Sequence, residues 1–147
     1  ATPRQPSAVD DGFLSLYEVY ELKLNGCELA VLSACETNCG PESPLEAGST
    51  MARAFICAGS RRVVCSHWDV SDQATAPLVG RFMQRVAQDI RTAQIVDYAA
   101  ALHAAKKSLR DDLLTSEPWL WAPFVLVGSP TGYSANGHAA MNTADSK

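Results

Sequence analysis

The chain has 147 residues, of which 47% are hydrophobic and 19% are charged, and its formal net charge is −4. These values predict one soluble globular domain with a single core, and they exclude a disordered chain. The acidic balance and the shortness of the basic clusters exclude a nucleic-acid-binding surface. We expect no membrane partner either, because no apolar stretch is long enough to span a bilayer and no export signal opens the sequence.

The five cysteines are odd in number and irregular in spacing. This favours free thiols in a reducing, cytoplasmic compartment over a disulfide framework. Cys27, Cys57 and Cys65 lie among apolar residues, as small buried thiols usually do. Cys35 and Cys39 instead lie at and beyond the end of an apolar run.

The first half of the chain alternates between predicted helices and short apolar strands. Residues 1–11 contain two prolines and are predicted to be a flexible segment. Capping boxes open predicted helices over 15–24 and 43–58, and a glycine follows each of them. Apolar runs rich in Val and Leu predict buried strands at 28–34 and 61–66.

The second half continues the alternation and ends in a polar tail. The predicted elements are a helix capped by Ser71 or Asp72 that runs through Val86, a helix over 92–109, a rigid aromatic connector at 118–123, a buried strand at 124–127 and a disordered tail at 129–147. We expect Trp119 and Trp121 of the connector to pack in the core.

Strands that alternate with helices predict an α/β fold with an open, mostly parallel sheet flanked by helices. Only three strands are visible, whereas a sheet usually has about five or six. A three-stranded sheet would leave a hydrophobic edge unprotected. We therefore expect this chain to be part of a larger domain whose N-terminal strands precede residue 1.

Cys35 stands where the first apolar strand stops and a loop begins. Ligands of open parallel sheets bind at the carboxyl ends of the strands, so a thiol there lies in a crevice. This position makes Cys35 a candidate nucleophile, and the alternative is a buried structural thiol.

Three segments carry motifs in a fixed order. The first strand ends in Leu-Ser-Ala-Cys-Glu-Thr at 32–37, Ala-Arg-Ala-Phe at 52–55 precedes Ser-His-Trp-Asp-Val-Ser-Asp at 66–72, and Trp-Ala-Pro-Phe-Val-Leu-Val-Gly occupies 121–128. Over residues 12–128 the chain resembles the C-terminal half of the CHAT domain. That domain is a caspase-like (clan CD) bacterial cysteine peptidase module, often attached to tetratricopeptide repeats.

The resemblance implies a partial caspase-like fold and a cysteine endopeptidase that works through a thioester at Cys35, whose N–H also serves the oxyanion hole. The family's base is a histidine in an upstream His-Gly motif, and this chain has no histidine before His67. The expected partners are therefore a peptide or protein substrate, the N-terminal half of the same domain and the tetratricopeptide repeats to which the family is often attached. The isolated chain is expected to be inactive.

Four residues after the second strand are candidates for the substrate pocket: His67, Trp68, Asp69 and Asp72. A buried carboxylate there would select a basic P1 side chain, with Asp69 the better candidate. The alternative for Asp72 is a helix cap, and the alternative for His67 is a substitute base. Asn38 replaces the glycine that follows Glu-Thr in the family, and it tolerates a left-handed turn.

We expect no cofactor and no bound metal. Cys35, Cys39, Cys65 and His67 are a conceivable zinc set, but their spacing matches no zinc motif. The alternative function is a non-catalytic CHAT-like scaffold for protein interaction or signalling.

Overall fold

The computed structural model describes residues 14–33, 44–92 and 95–133. The elements in chain order are α1 (Leu16–Glu21), β1 (Ala30–Val31), α2 (Pro44–Cys57), β2 (Arg62–Ser66), α3 (Asp72–Thr92), β3 (Ile95–Asp97), α4 (Tyr98–Arg110), α5 (Pro118–Trp121), β4 (Phe124–Gly128) and β5 (Thr131–Tyr133). The predicted α/β class is confirmed.

The main sheet has three strands in the order β1-β2-β4. β1 runs parallel to β2, with Val31 opposite Val64. β4 runs antiparallel to β2, with Val127 opposite Val63, so the sheet is mixed. Two long helices separate β2 from β4, and the second returns the chain to the carboxyl end of β2. β4 therefore starts beside Ser66 and runs in the opposite direction.

Helices cover both faces of this sheet, because successive side chains of a strand point to opposite faces. Val64 packs in a core with residues of α3 and α4, among them the fully buried Phe82 and Leu109. Val63 and Cys65 pack on the other face, against residues of α2. Burial on both faces is what the uninterrupted apolar run of this strand predicted.

The first half of the chain keeps its predicted elements but shortens two of them. The capping box of α1 is formed: the Ser15 hydroxyl accepts the Glu18 N–H at 3.3 Å, and a Glu18 carboxylate oxygen accepts the Ser15 N–H at 2.7 Å. α1 nevertheless ends at Glu21, because the chain turns away and the Leu24 N–H bonds the Ala58 carbonyl at 2.9 Å. β1 likewise covers two residues instead of the predicted 28–34.

A two-stranded antiparallel sheet of β3 and β5 was not predicted. It interrupts the single helix expected over 92–109, and α4 begins only at Tyr98, where the Asp97 carboxylate accepts the Ala100 N–H at 2.8 Å. β5 lies in the segment expected to be a disordered tail from residue 129. The aromatic connector forms the short helix α5. Residues 1–13 and 134–147 lie outside the described residues.

Candidate functional site

The ends of β1 and β2 define one edge of the main sheet, which we call the carboxyl edge. The Leu32 N–H bonds the Val64 carbonyl at 2.8 Å, which extends the parallel pairing by one residue beyond β1. β2 ends at Ser66, and the candidate pocket residues follow it directly. The start of β4 lies at the same edge, since the His67 N–H bonds the Pro123 carbonyl at 3.1 Å.

Trp68 lies at this edge and forms an aromatic pair with Trp119. The two ring centroids are 4.9 Å apart and the planes are inclined by 28°, which is a stacked arrangement. The Trp68 indole N–H also donates to the Trp119 carbonyl at 3.0 Å. Trp68 is half-buried against the core, whereas Trp119 is 59% exposed, so the expectation that Trp119 packs in the core was wrong.

The two aspartates of the candidate pocket are exposed at the surface. Asp69 lies in the loop after Trp68, and Asp72 is the first residue of α3. Ser71 holds the position before the helix, and its carbonyl accepts the Thr75 N–H at 3.0 Å. Asp72 instead places a carboxylate in the first turn, where it stabilises the positive end of the helix dipole. Neither aspartate provides the buried carboxylate that the sequence suggested.

Cys35, the candidate nucleophile, lies outside the described residues, as do Asn38 and Cys39. Of the described cysteines, Cys65 is 2% exposed, and burial raises the pKa of its thiol to about 11. It is therefore protonated and unreactive at neutral pH. Cys57 is exposed and Cys27 is half-buried. Within the described ranges, no cluster of three or more His, Cys, Asp or Glu side chains is arranged to hold a metal ion.

Arg62 is a structural centre that sequence reasoning missed. Its side chain is 1% exposed, at the start of β2. The guanidinium donates to the Ser129 and Thr131 carbonyls, each at 3.0 Å, and to the Glu28 carboxylate at 3.1 Å. It also lies 4.1 Å from the centre of the Tyr98 ring. These contacts fix the ends of the two sheets to each other at the edge opposite the candidate site.

The sequence offered only a weak signal for this role. Arg61 and Arg62 form one of the short basic clusters, and their composition does not distinguish them. The structure distinguishes the two arginines by their exposure. Arg61 is 57% exposed and pairs with Glu28 at 3.1 Å, whereas Arg62 points inward. A buried arginine needs partners for its donors, and here they come from residues far away in sequence.

The helices on both faces of a mixed sheet, with candidate residues at its carboxyl edge, are consistent with a partial α/β domain of the caspase-like type. A comparison with protein families gives a match to the CHAT domain over residues 2–129. The chain therefore belongs to the CHAT domain family, which is related to the caspase-like peptidases. Searches among curated proteins and solved structures gave no significant match. No helix in the described part of the chain has the length and apolar character needed to cross a membrane.

Proposed function

We propose that this chain carries the nucleophile of a CHAT-type cysteine endopeptidase, and that the nucleophile is Cys35. The observation that carries the proposal is the parallel pairing of β1 with β2, which brings the ends of both strands to the carboxyl edge. Ligands of sheets of this kind bind outside the carboxyl ends of the strands. The family match supports the same chemistry.

Chain geometry supports the position of the nucleophile. Val31 pairs with Val64, so the register continues with Ser33 level with Ser66. Cys35 follows Ser33 by two residues, and two residues of extended chain reach about 7 Å. This span limits how far Cys35 can be from the carboxyl edge, and that supports the proposal that its thiol acts beside His67 and Trp68.

In the proposed reaction the Cys35 thiol loses its proton to a histidine, and the sulfur attacks the carbonyl carbon of the scissile bond. The Cys35 N–H stabilises the oxyanion that forms. The histidine then protonates the leaving amine, the C–N bond breaks and a thioester remains. A water molecule, deprotonated by the same histidine, hydrolyses the thioester and releases the acid product and the thiol.

The proposed base is a histidine upstream of residue 1, in the family's His-Gly motif. His67 is the alternative, because it follows the end of β2, and neighbouring strands lie only about 4.8 Å apart. His67 is half-buried and its backbone is fixed by the Pro123 carbonyl. The isolated chain is then expected to lack the upstream base and to be inactive.

The stacked pair of Trp68 and Trp119 is proposed as one wall of the substrate cleft. Its exposed aromatic surface suits the apolar part of an extended peptide. Asp69 is proposed to face a basic P1 side chain from the same side. Because its carboxylate is exposed, the expected charge selectivity is modest and falls at high salt.

Hydrolysis of a P1-diversified peptide library by the complete protein tests the proposal. Cys35→Ala is expected to abolish hydrolysis, whereas Cys57→Ala, the matched change at an exposed cysteine, leaves it unchanged. The His67→Ala variant is expected to keep most of the rate of peptide hydrolysis. Loss of hydrolysis in this variant would identify His67 as the base. A preference for acidic or apolar P1 residues would contradict the role of Asp69.

The non-catalytic scaffold is the alternative that the same experiment addresses. The coding sequence upstream of residue 1 separates the two functions first, because the peptidase requires a His-Gly after an apolar strand. If no histidine is found there and the complete protein hydrolyses no peptide, the scaffold function is supported and the peptidase is rejected.

A further inference from the structure

β4 is the last strand of the main sheet, and within the described residues no strand pairs with its outer edge. Successive carbonyls of a strand point in opposite directions. The Pro123 carbonyl accepts from His67, on the side of β2, so the backbone groups of Phe124 and Leu126 point away from β2. The N–H and the carbonyl of Leu126 are therefore directed toward the outer edge of the sheet.

A groove of about 460 Å³ lies along this edge, between β4 and α4. We call it the α4–β4 groove. Trp121, Phe124 and Leu126 supply apolar side chains to its floor and pack against the core of the α3–α4 face. The groove therefore combines an apolar floor with a strand edge that has backbone groups free of β2.

The rim of the α4–β4 groove is cationic in a chain whose net charge is negative. Lys106, Lys107, Arg110 and His103 all line it. Within the described residues, the ion pairs of this rim involve one carboxylate, that of Asp111, which contacts both Lys107 and Arg110. One carboxylate beside two lysines and an arginine leaves an excess of positive charge, so the rim favours an anionic ligand.

Lys106 determines how a strand can approach. Its ammonium donates to the Phe124 carbonyl at 2.8 Å and to the Ala122 carbonyl at 3.1 Å, and its partial burial lowers its pKa. A lysine at a sheet edge discourages indiscriminate pairing with other strands. It also leaves positive charge beside the position of an added strand, where a carboxylate would be stabilised.

We propose that the α4–β4 groove binds an extended, acidic segment of a partner protein. The segment adds a short strand to β4 through Leu126, places apolar side chains on Trp121, and directs carboxylates to Lys107 and Arg110. This is β-strand addition, in which backbone pairing supplies affinity and side chains supply specificity. A second copy of this chain is disfavoured, because it would bring an equally cationic rim to the same edge.

The probe is a short fluorescent peptide of alternating glutamate and valine, and its binding to the full chain is measured by polarisation. The expected result is binding that weakens as salt is raised. A peptide with lysine in place of glutamate should not bind, nor should the acidic peptide with a central proline, which cannot pair with the strand edge. Equal binding of all three peptides, or binding of none, would overturn the proposal.

Charge reversal locates the binding surface. The double variant Lys107→Glu and Arg110→Glu should weaken binding by about tenfold or more, since two favourable charge contacts become repulsive. The control reverses Arg85 and Arg91, which are exposed on α3 outside the groove, and it should bind as the original chain does. Equal loss in both variants would show a general charge effect and reject the groove.

Two other occupants of the groove give distinct outcomes. Sedimentation that shows a dimer, with the double variant monomeric, would assign the groove to a second copy and overturn the proposal. Peptide binding that appears only after residues 134–147 are removed would assign it to the chain's own terminus, with the same consequence. None of these results depends on peptidase activity, so the proposal and the proposed function fail separately.

Discussion

Replacement of Arg62 by methionine is the sharpest test of how the domain holds together. Methionine keeps an unbranched stem but removes the guanidinium and its bonds to the Ser129 carbonyl, the Thr131 carbonyl and Glu28. It also removes the cation over the Tyr98 ring. Arg61→Met is the matched control, because the neighbouring arginine also pairs with Glu28 but is 57% exposed.

The expected magnitude follows from these contacts. A hydrogen bond that involves a charged group contributes about 1.5–3 kcal/mol, and the bonds to the two carbonyls are the main loss. The lost cation–π contact adds about 1 kcal/mol. Two effects offset this: the carbonyls belong to exposed residues that water can reach, and methionine carries no charge to desolvate. We expect the free energy of unfolding to fall by about 2–3 kcal/mol for Arg62→Met and by under about 0.5 kcal/mol for Arg61→Met.

Equilibrium unfolding in urea, followed by tryptophan fluorescence and circular dichroism, measures both variants. If the slope of the unfolding free energy against urea concentration is the same in both variants as in the original chain, a shift in the midpoint reports a change in stability. Equal destabilisation by the two substitutions, or a change below about 1 kcal/mol for Arg62→Met, would refute the reasoning. A small change for Arg62→Met would mean that the free-energy cost of burying the guanidinium equals the stabilisation from its contacts.

Three further predictions concern local features. Asp97→Ala should lower the free energy of unfolding by about 1 kcal/mol, because α4 loses its cap, and an unchanged urea midpoint would contradict this. Cys65 has a pKa raised from 9.0 to about 11, so the stability from its neutral thiol is complete below pH 9.0 and is lost as pH rises through 11. Measured by urea unfolding, the free energy of unfolding should fall less across that pH range in Cys65→Ala than in the original chain. An equal fall in the two proteins would contradict this prediction. Gly132→Ala should destabilise the chain by about 1–2 kcal/mol, since its Cβ would lie 2.9 Å from the guanidinium nitrogens of Arg62. This loss should shrink in an Arg62→Met background, and additive losses would argue against that contact.

The parts of the fold that sequence predicted are those fixed by local chemistry. The apolar runs at 61–66 and 124–127 became β2 and β4 because β2 is buried on both faces and β4 is partly buried against the cores on both faces. The Ser15 capping box became the start of α1 because its bonds join residues three positions apart. In both cases the information lies within one short segment.

The errors occur where a distant partner decides the structure. The helical spacing of apolar residues over 92–109 concealed β3, whose pairing with β5 joins residues far apart in sequence. The antiparallel direction of β4 was not predicted, because a strand pattern does not encode how the intervening helices return the chain to the sheet. At the candidate site, motifs identified Trp68, but the exposed stack with Trp119 arises from a contact between separate segments.

The identity of the nucleophile is the central claim, and covalent labelling of the complete protein tests it most directly. An acyloxymethyl ketone with a basic P1 residue alkylates the thiolate of an activated cysteine, and peptide mass spectrometry locates the label. We predict a label on Cys35, none on the buried Cys65, and none on the exposed Cys57, because only Cys35 is proposed to have a base beside it. A complete protein that contains an upstream His-Gly motif and yet carries the label on another cysteine, or no label, would contradict the account.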